Sequence, residues 1–151
     1  MKFDKYVKRD LICNLKAKVK NEAIEELLQI LSVKKYINDI DYIKEMVLQK
    51  KELMSTGIGL GIGVPHVRLD GFKEPIIAIG ISKNGIADYV ALDNQVVKII
   101  FMIIVNKGAH RQYIELLAHI ATMLKDDEFR MNLIDSSKSE DVFKSICTKC
   151  K

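Results

Sequence analysis

Twelve residues concentrate the chemistry of this chain: Ser55-Thr56-Gly57-Ile58-Gly59-Leu60-Gly61-Ile62-Gly63-Val64-Pro65-His66. Four glycines alternate with apolar residues, and a proline precedes one imidazole. Glycine permits positive φ and lets another backbone or a phosphate come close. Proline fixes φ and removes a donor. The pattern holds a histidine at a defined point on an accessible, glycine-lined surface. An imidazole nitrogen is a nucleophile whenever it is unprotonated, and it titrates near neutral pH. A histidine placed in this way suits a phosphoryl carrier. A lone histidine is more often structural, and close packing alone explains the glycines. Close packing does not explain the Pro-His ending.

A nucleotide site fits the same run poorly. It lacks the Gly-Lys-Ser/Thr ending of a P-loop. A dinucleotide fingerprint follows a strand and opens a helix, whereas here a helical pattern precedes the run and an extended one follows. Arg68 lies two residues beyond His66, so in extended chain both side chains share a face. It reads equally as a cation for phosphate or an acidic partner and as an ordinary exposed arginine. Cys147-Thr148-Lys149-Cys150 has redox or zinc spacing, but it has no second ligand pair and stands at a terminus. It is expected to carry neither catalysis nor metal.

The surrounding pattern supplies the elements that position His66. Leu11 to Leu15 is a short apolar stretch read as a strand. Ile24, Leu27, Leu28 and Leu31 recur at helical spacing, and a second helix is expected after Asp39 or Asp41 as cap. Pro75–Ser82 and Val96–Val105 read as buried strands, with turns at Asn84-Gly85 and Asp93-Asn94. The Gly63–Leu69 segment is extended in this reading, with His66 in or at the end of a strand. A third helix runs from about His110 to Leu124, with Tyr113, Leu116, Leu117, Ile120 and Leu124 as its stripe. Asp126 caps a further turn, and Ser137-Lys138-Ser139-Glu140 fits a capping box. Helices, strands and helices around one core predict an α/β fold, a small mixed β-sheet flanked by helices.

The 151 residues fit one domain, 1–151. A net charge of +4 is too weak to argue for nucleic acid, and the longest apolar run, Ile99 to Val105, falls far short of the roughly 20 residues that cross a bilayer. Three cysteines give no disulfide framework. A cytoplasmic protein is expected.

From Leu11 to Ile146 the chain resembles the fructose/mannitol-type enzyme IIA domain of the bacterial phosphoenolpyruvate-dependent phosphotransferase system, including its nitrogen-related branch. The signature of that family reads Ser-Thr-Gly-Ile-Gly, a variable residue, Gly-Ile-Ala, a branched residue, then Pro-His, and Ser55 to His66 match it with Gly63 at the alanine. Asn14-Leu15-Lys16-Ala17 and Lys20 to Ile24 look like its opening strand and helix, and Gly85 to Val97 like its central hairpin.

The resemblance implies a phosphotransferase component in which His66 accepts a phosphoryl group from an HPr-type phosphocarrier. His66 would then pass it to a cysteine on a IIB component, alone or within a membrane IIC/IIB transporter. It implies no metal or organic cofactor. Backbone N–H groups near Gly61 and Gly63, and the hydroxyls of Ser55 and Thr56, are candidate phosphate donors. The family usually has an arginine where this chain has Lys50, which keeps the charge and loses the bidentate fork. It often has a second histidine where this chain has Tyr113. His110 lies one helical turn earlier; it reads first as an exposed residue at a helix start and second as a group reaching the same pocket. His119 reads as a half-buried structural residue. Ile58, Leu60 and Ile62 are expected to form an apolar docking surface, and Met102, Met123 and the third helix to contribute to a homodimer face. A regulatory phosphohistidine switch of the nitrogen-related type is the alternative function.

Overall fold

The computed structural model describes residues 3–49, 57–91 and 93–150. A short 3-10 turn (Phe3–Tyr6) leads into β1 (Val7–Asn14), α1 (Lys20–Val33) and α2 (Ile40–Gln49). Three short strands follow, β2 (Gly57–Gly59), β3 (Ile62–Gly63) and β4 (His66–Leu69), then two long ones, β5 (Ile76–Val90) and β6 (Val96–Asn106). The chain closes with α3 (His110–Met123), α4 (Asp127–Asp135) and α5 (Ser139–Lys149). The expected mixed sheet flanked by helices is present.

The six strands form one sheet in the order β1-β5-β6-β3-β2, and β4 also pairs with β6. β5 and β6 are antiparallel; β1 runs parallel to β5, and β3 and β4 run parallel to β6. Alternation along β6 divides the core, as period-2 geometry requires. Ile99, Phe101, Ile103 and Val105 face α3, α4 and α5; Ile100, Met102 and Ile104 face α1 and α2, and Val97, where the β5 pairing shifts register, joins them out of phase. Both faces are covered from Ile99 to Val105, so that part of β6 reads as a continuous apolar run.

The helices follow the sequence pattern. α1 buries Ile24, Leu27, Leu28 and Leu31. Asp39 Oδ1 accepts from the Tyr42 N–H at 3.0 Å and opens α2, and Asp126 Oδ1 accepts from the Phe129 N–H at 3.1 Å and opens α4. α3 buries Tyr113, Leu116 and Ile120 over the sheet, and each such side chain contributes roughly 1.5–3 kcal/mol.

Two local expectations fail. Asn84-Gly85 is no turn: β5 runs through it, with the pairing to β6 shifting register between Ile81 and Ile86. Gly85 sits at φ 88° against the Val96 side chain, so the glycine serves a bulge. The Ser137–Glu140 capping box does not form. α5 begins after Lys138 with no side-chain cap, and Glu140 instead pairs with Arg9 at 3.1 Å across to β1. The turn at Asp93-Asn94 is present, with Asn94 at φ 67°.

Gly63 is where the fold tolerates no side chain. A Cβ there would stand 2.8 Å from both Cζ and Oη of Tyr89, whose ring is 1% exposed and carries the Lys20 ammonium 4.4 Å from its centroid. Gly108 has open space around it. Gly63→Ala is therefore expected to lower stability by about 1–3 kcal/mol through overpacking, while Gly108→Ala stays within about 0.5 kcal/mol. Equal denaturation midpoints for the two variants would refute the steric account.

Candidate functional site

The site begins at the glycine hairpin. β2 and β3 pair antiparallel, Gly57 opposite Gly63, and the turn between them places Leu60 and Gly61 at φ 58° and 75°. Two consecutive positive φ values match the twist of a tight hairpin. Leucine is strained there, and the strain is held from outside: the Leu60 N–H donates to Asp93 Oδ2 at 2.9 Å, and Asp93 Oδ1 accepts from the Gln95 N–H. The β5–β6 loop thus fastens the hairpin. The Leu60 bond holds the Asp93 carboxyl below its ordinary range. Sequence reading placed Asp93 only in a turn; its second task joins positions 33 residues apart and has no local signal.

β3 and β4 lie end to end along the same edge of β6, with Ile62 opposite Ile99 and His66 opposite Ile103. Val64 and Pro65 bridge them. Proline has no N–H to give the ladder, but its carbonyl accepts from the Ile103 N–H at 3.0 Å. The strand resumes at His66. Val67 faces α1 and α2, so His66 and Arg68 face α3.

Tyr113, on the first turn of α3, lies against His66 with ring centroids 4.5 Å apart and its hydroxyl 3.1 Å from Nδ1. The Val64 carbonyl oxygen lies 3.4 Å from the same nitrogen. A carbonyl only accepts, so the tautomer serving it carries the proton on Nδ1 and the lone pair on Nε2. Burial pushes the Tyr113 hydroxyl above its ordinary 10.0, and the nearby Arg68 charge pulls the other way. The phenol is therefore protonated and uncharged at neutral pH.

Arg68 and His110 come together, which neither residue suggested alone. Nη2 of Arg68 lies 2.7 Å from Nδ1 of His110. A guanidinium has no acceptor, so it donates, and His110 in this contact is unprotonated at Nδ1. His66, Arg68, His110 and Tyr113 thus form one cluster where β4 meets the start of α3. Lys50, Ser55 and Thr56 lie outside the described residues, as does the Ile58 side chain. Gly63 is paired on both sides, to Gly57 and Ile100, and the Gly61 carbonyl accepts from Lys98 and Ile99, so both glycines serve the sheet.

Three expected surface residues are elsewhere. Ile62 is 1% exposed and belongs to the core, so of the three docking residues Leu60 is the one shown at the surface, at 38%. Met102 and Met123 are buried on opposite faces of the sheet and form no dimer face; alternation on β6 and the stripe of α3 put them there. His119 is half-buried, stacked on Phe3 at 4.8 Å, and Cys150 Sγ lies 3.8 Å from its Nε2. Among the described residues no group of three His, Cys, Asp or Glu is arranged to hold a metal ion, and no helix is long and apolar enough to cross a membrane.

The fold and the cluster define a small α/β domain that presents one histidine on a strand edge. The family model for the phosphoenolpyruvate-dependent sugar phosphotransferase system, EIIA 2, matches residues 6–149, and the chain belongs to that family. It is 36% identical over 134 residues to the fructose-specific EIIABC component of Bacillus subtilis; this covers 89% of the chain but only 21% of that longer protein. It is 29% identical to a nitrogen regulatory protein of Pseudomonas aeruginosa, covering 89% of this chain and 87% of that one. In fold it is similar to the nitrogen regulatory protein IIA-Ntr of Neisseria meningitidis, with a TM-score of 0.83, 23% identity, and coverage of 95% and 97% of the two chains. Family membership makes the protein a phosphoryl carrier with a phosphotransfer function.

The Asp93 clamp is testable by pH. With its carboxyl held low, the clamp is complete above the ordinary value of 3.8 and is lost as pH falls through the lower folded value. The Leu60 amide proton, followed by NMR, should titrate with a midpoint below 3.8 and stop doing so in Asp93→Asn. A midpoint at or above that value would count against the clamp.

Proposed function

We propose that His66 is the phosphoryl acceptor and that the protein works in the cytoplasm as the IIA step of a sugar phosphotransferase chain. The observation that carries this reading is the contact of Nδ1 with the Val64 carbonyl and the Tyr113 hydroxyl, which directs the lone pair to Nε2. Nε2 attacks the phosphorus of an incoming HPr-type phosphocarrier. The new P–N bond forms as the bond to the donor atom breaks, and the donor keeps the electron pair. In the second half, a thiolate on a IIB component attacks the same phosphorus and Nε2 recovers its pair. Catalysis here is positioning and charge complementarity, because the transferring group carries its own chemistry.

Arg68 is the cation for the phosphoryl oxygens, and the protonated Tyr113 fixes the ring. His110 belongs to the same support, as the partner of Arg68. Lys50 joins it on family position, and the Thr56 hydroxyl as a donor to the phosphoryl oxygens. A solved complex of enzyme IIA mannitol with phosphorylated enzyme IIB mannitol from Escherichia coli, similar in fold with a TM-score of 0.74, supports a IIB-type recipient. A second reading is a phosphohistidine switch that regulates rather than feeds transport. Its support is the near full-length match to proteins named for nitrogen regulation.

Intact-mass measurement after incubation with phosphoenolpyruvate, enzyme I and HPr should show one acid-labile phosphoryl group, absent in His66→Ala. Wild type left unmodified by several HPr-type donors, or a labelled His66→Ala, would sink the assignment. Onward transfer to an isolated IIB domain separates the readings: rapid discharge supports transport, and a long-lived phosphoprotein supports the switch.

A further inference from the structure

The guanidinium of Arg68 is fastened at one corner. Nη2 donates to Nδ1 of His110, and Nε–H is buried and meets no acceptor among the described residues. A buried, unpaired N–H on a cation is costly to keep, and an anion is the partner it lacks. Arg68 shares a strand face with His66 and acts electrostatically on Tyr113, which lies on the His66 ring. His110 is exposed at the start of α3, whose N-terminus has no side-chain cap. Its demonstrated contact within the cluster is with the arginine.

We propose that His110 is a positioning residue that anchors Nη2 of Arg68, so that the other N–H groups of the guanidinium close on a phosphoryl group carried by His66. The inference rests on His66 as the acceptor. The anchor works because it is one-sided. A neutral imidazole gives the guanidinium a lone pair and takes no share of its charge, whereas a carboxylate there would neutralise the cation that the phosphoryl group needs. Asp70, just past the end of β4, pairs with Lys107 at 3.5 Å, and Tyr113 is uncharged. Nδ1 of His110 is the acceptor, and an asparagine amide oxygen can occupy nearly the same place.

The experiment follows the phosphohistidine by 31P NMR across pH, on protein phosphorylated either by the phosphocarrier chain or directly by phosphoramidate. The second ionisation of the phosphoryl group reports any cation held against it. Arg68→Gln should raise that midpoint by about one unit, since an opposite charge close by favours the dianion. His110→Ala should move it the same way by a smaller amount, His110→Asn should restore the wild-type value, and the double variant Arg68→Gln/His110→Ala should equal Arg68→Gln alone. A merely structural role would change melting temperature without this order and without rescue by asparagine. The proposal is overturned if His110→Ala leaves the midpoint unchanged, or if its effect adds in full to that of Arg68→Gln. If folded wild type takes no phosphoryl group on His66 from either donor, the acceptor assignment itself fails, and the proposal goes with it.

Discussion

The site depends on one constraint: a single edge of β6 must receive two short parallel strands with a proline between them. β5 covers the other edge along most of its length, so the segment 62–69 has nowhere else to dock. A continuous strand would place an N–H at residue 65. Proline removes that donor at the gap, where the ladder does not need it, and still lends its carbonyl to Ile103. The register is the same on both sides of the break, and His66 emerges on the face toward α3 that Ile62 and Val64 already take. Val64, just before it, keeps its carbonyl turned toward the imidazole it precedes by two residues. The residue that interrupts the strand and the one whose carbonyl faces Nδ1 are adjacent, so the place of the ring and one of its contacts come from the same short segment.

Everything upstream guards that geometry. The hairpin leading into β3 turns through residues of positive φ and is fastened by Asp93 from another loop. Beneath it, Tyr89 fills the space a Cβ at residue 63 would take. The family signature has alanine at this place, and this chain has glycine with a buried tyrosine ring against it. The two belong together: the ring needs the missing methyl, and the glycine leaves a space that only a group from below can fill.

The sheet was largely legible because its driving force is local. Ile99 to Val105 is apolar throughout, as a strand segment covered on both faces must be. Helical spacing gave α1 and α3, and Asp39 and Asp126 cap as read. The failures share a cause. Asn84-Gly85 has turn chemistry, but a long strand that must bend uses the same positive φ at a bulge, and pairing with β6 decides between them. Ser137 and Glu140 have capping spacing, yet Glu140 is drawn to Arg9 on another element. In the site, His66, Arg68, His110 and Tyr113 were each visible. Their pairing was not, because Arg68 and His110 are 42 residues apart and no periodicity relates a strand to a helix start.

Tyr113 changes how such a site responds to its surroundings. An imidazole in that place would titrate near neutral pH, and its charge would vary there. Two coupled imidazoles release protons as a pair, so neither could be held neutral independently. The phenol, raised by burial above 10.0, has no such range. It contacts Nδ1 without competing for charge, and the guanidinium of Arg68 supplies the positive charge within the cluster. Orientation and charge are thereby assigned to different side chains. The tyrosine lies against the ring at Nδ1, the arginine is the cation of the cluster, and the imidazole has a neighbour whose charge stays constant.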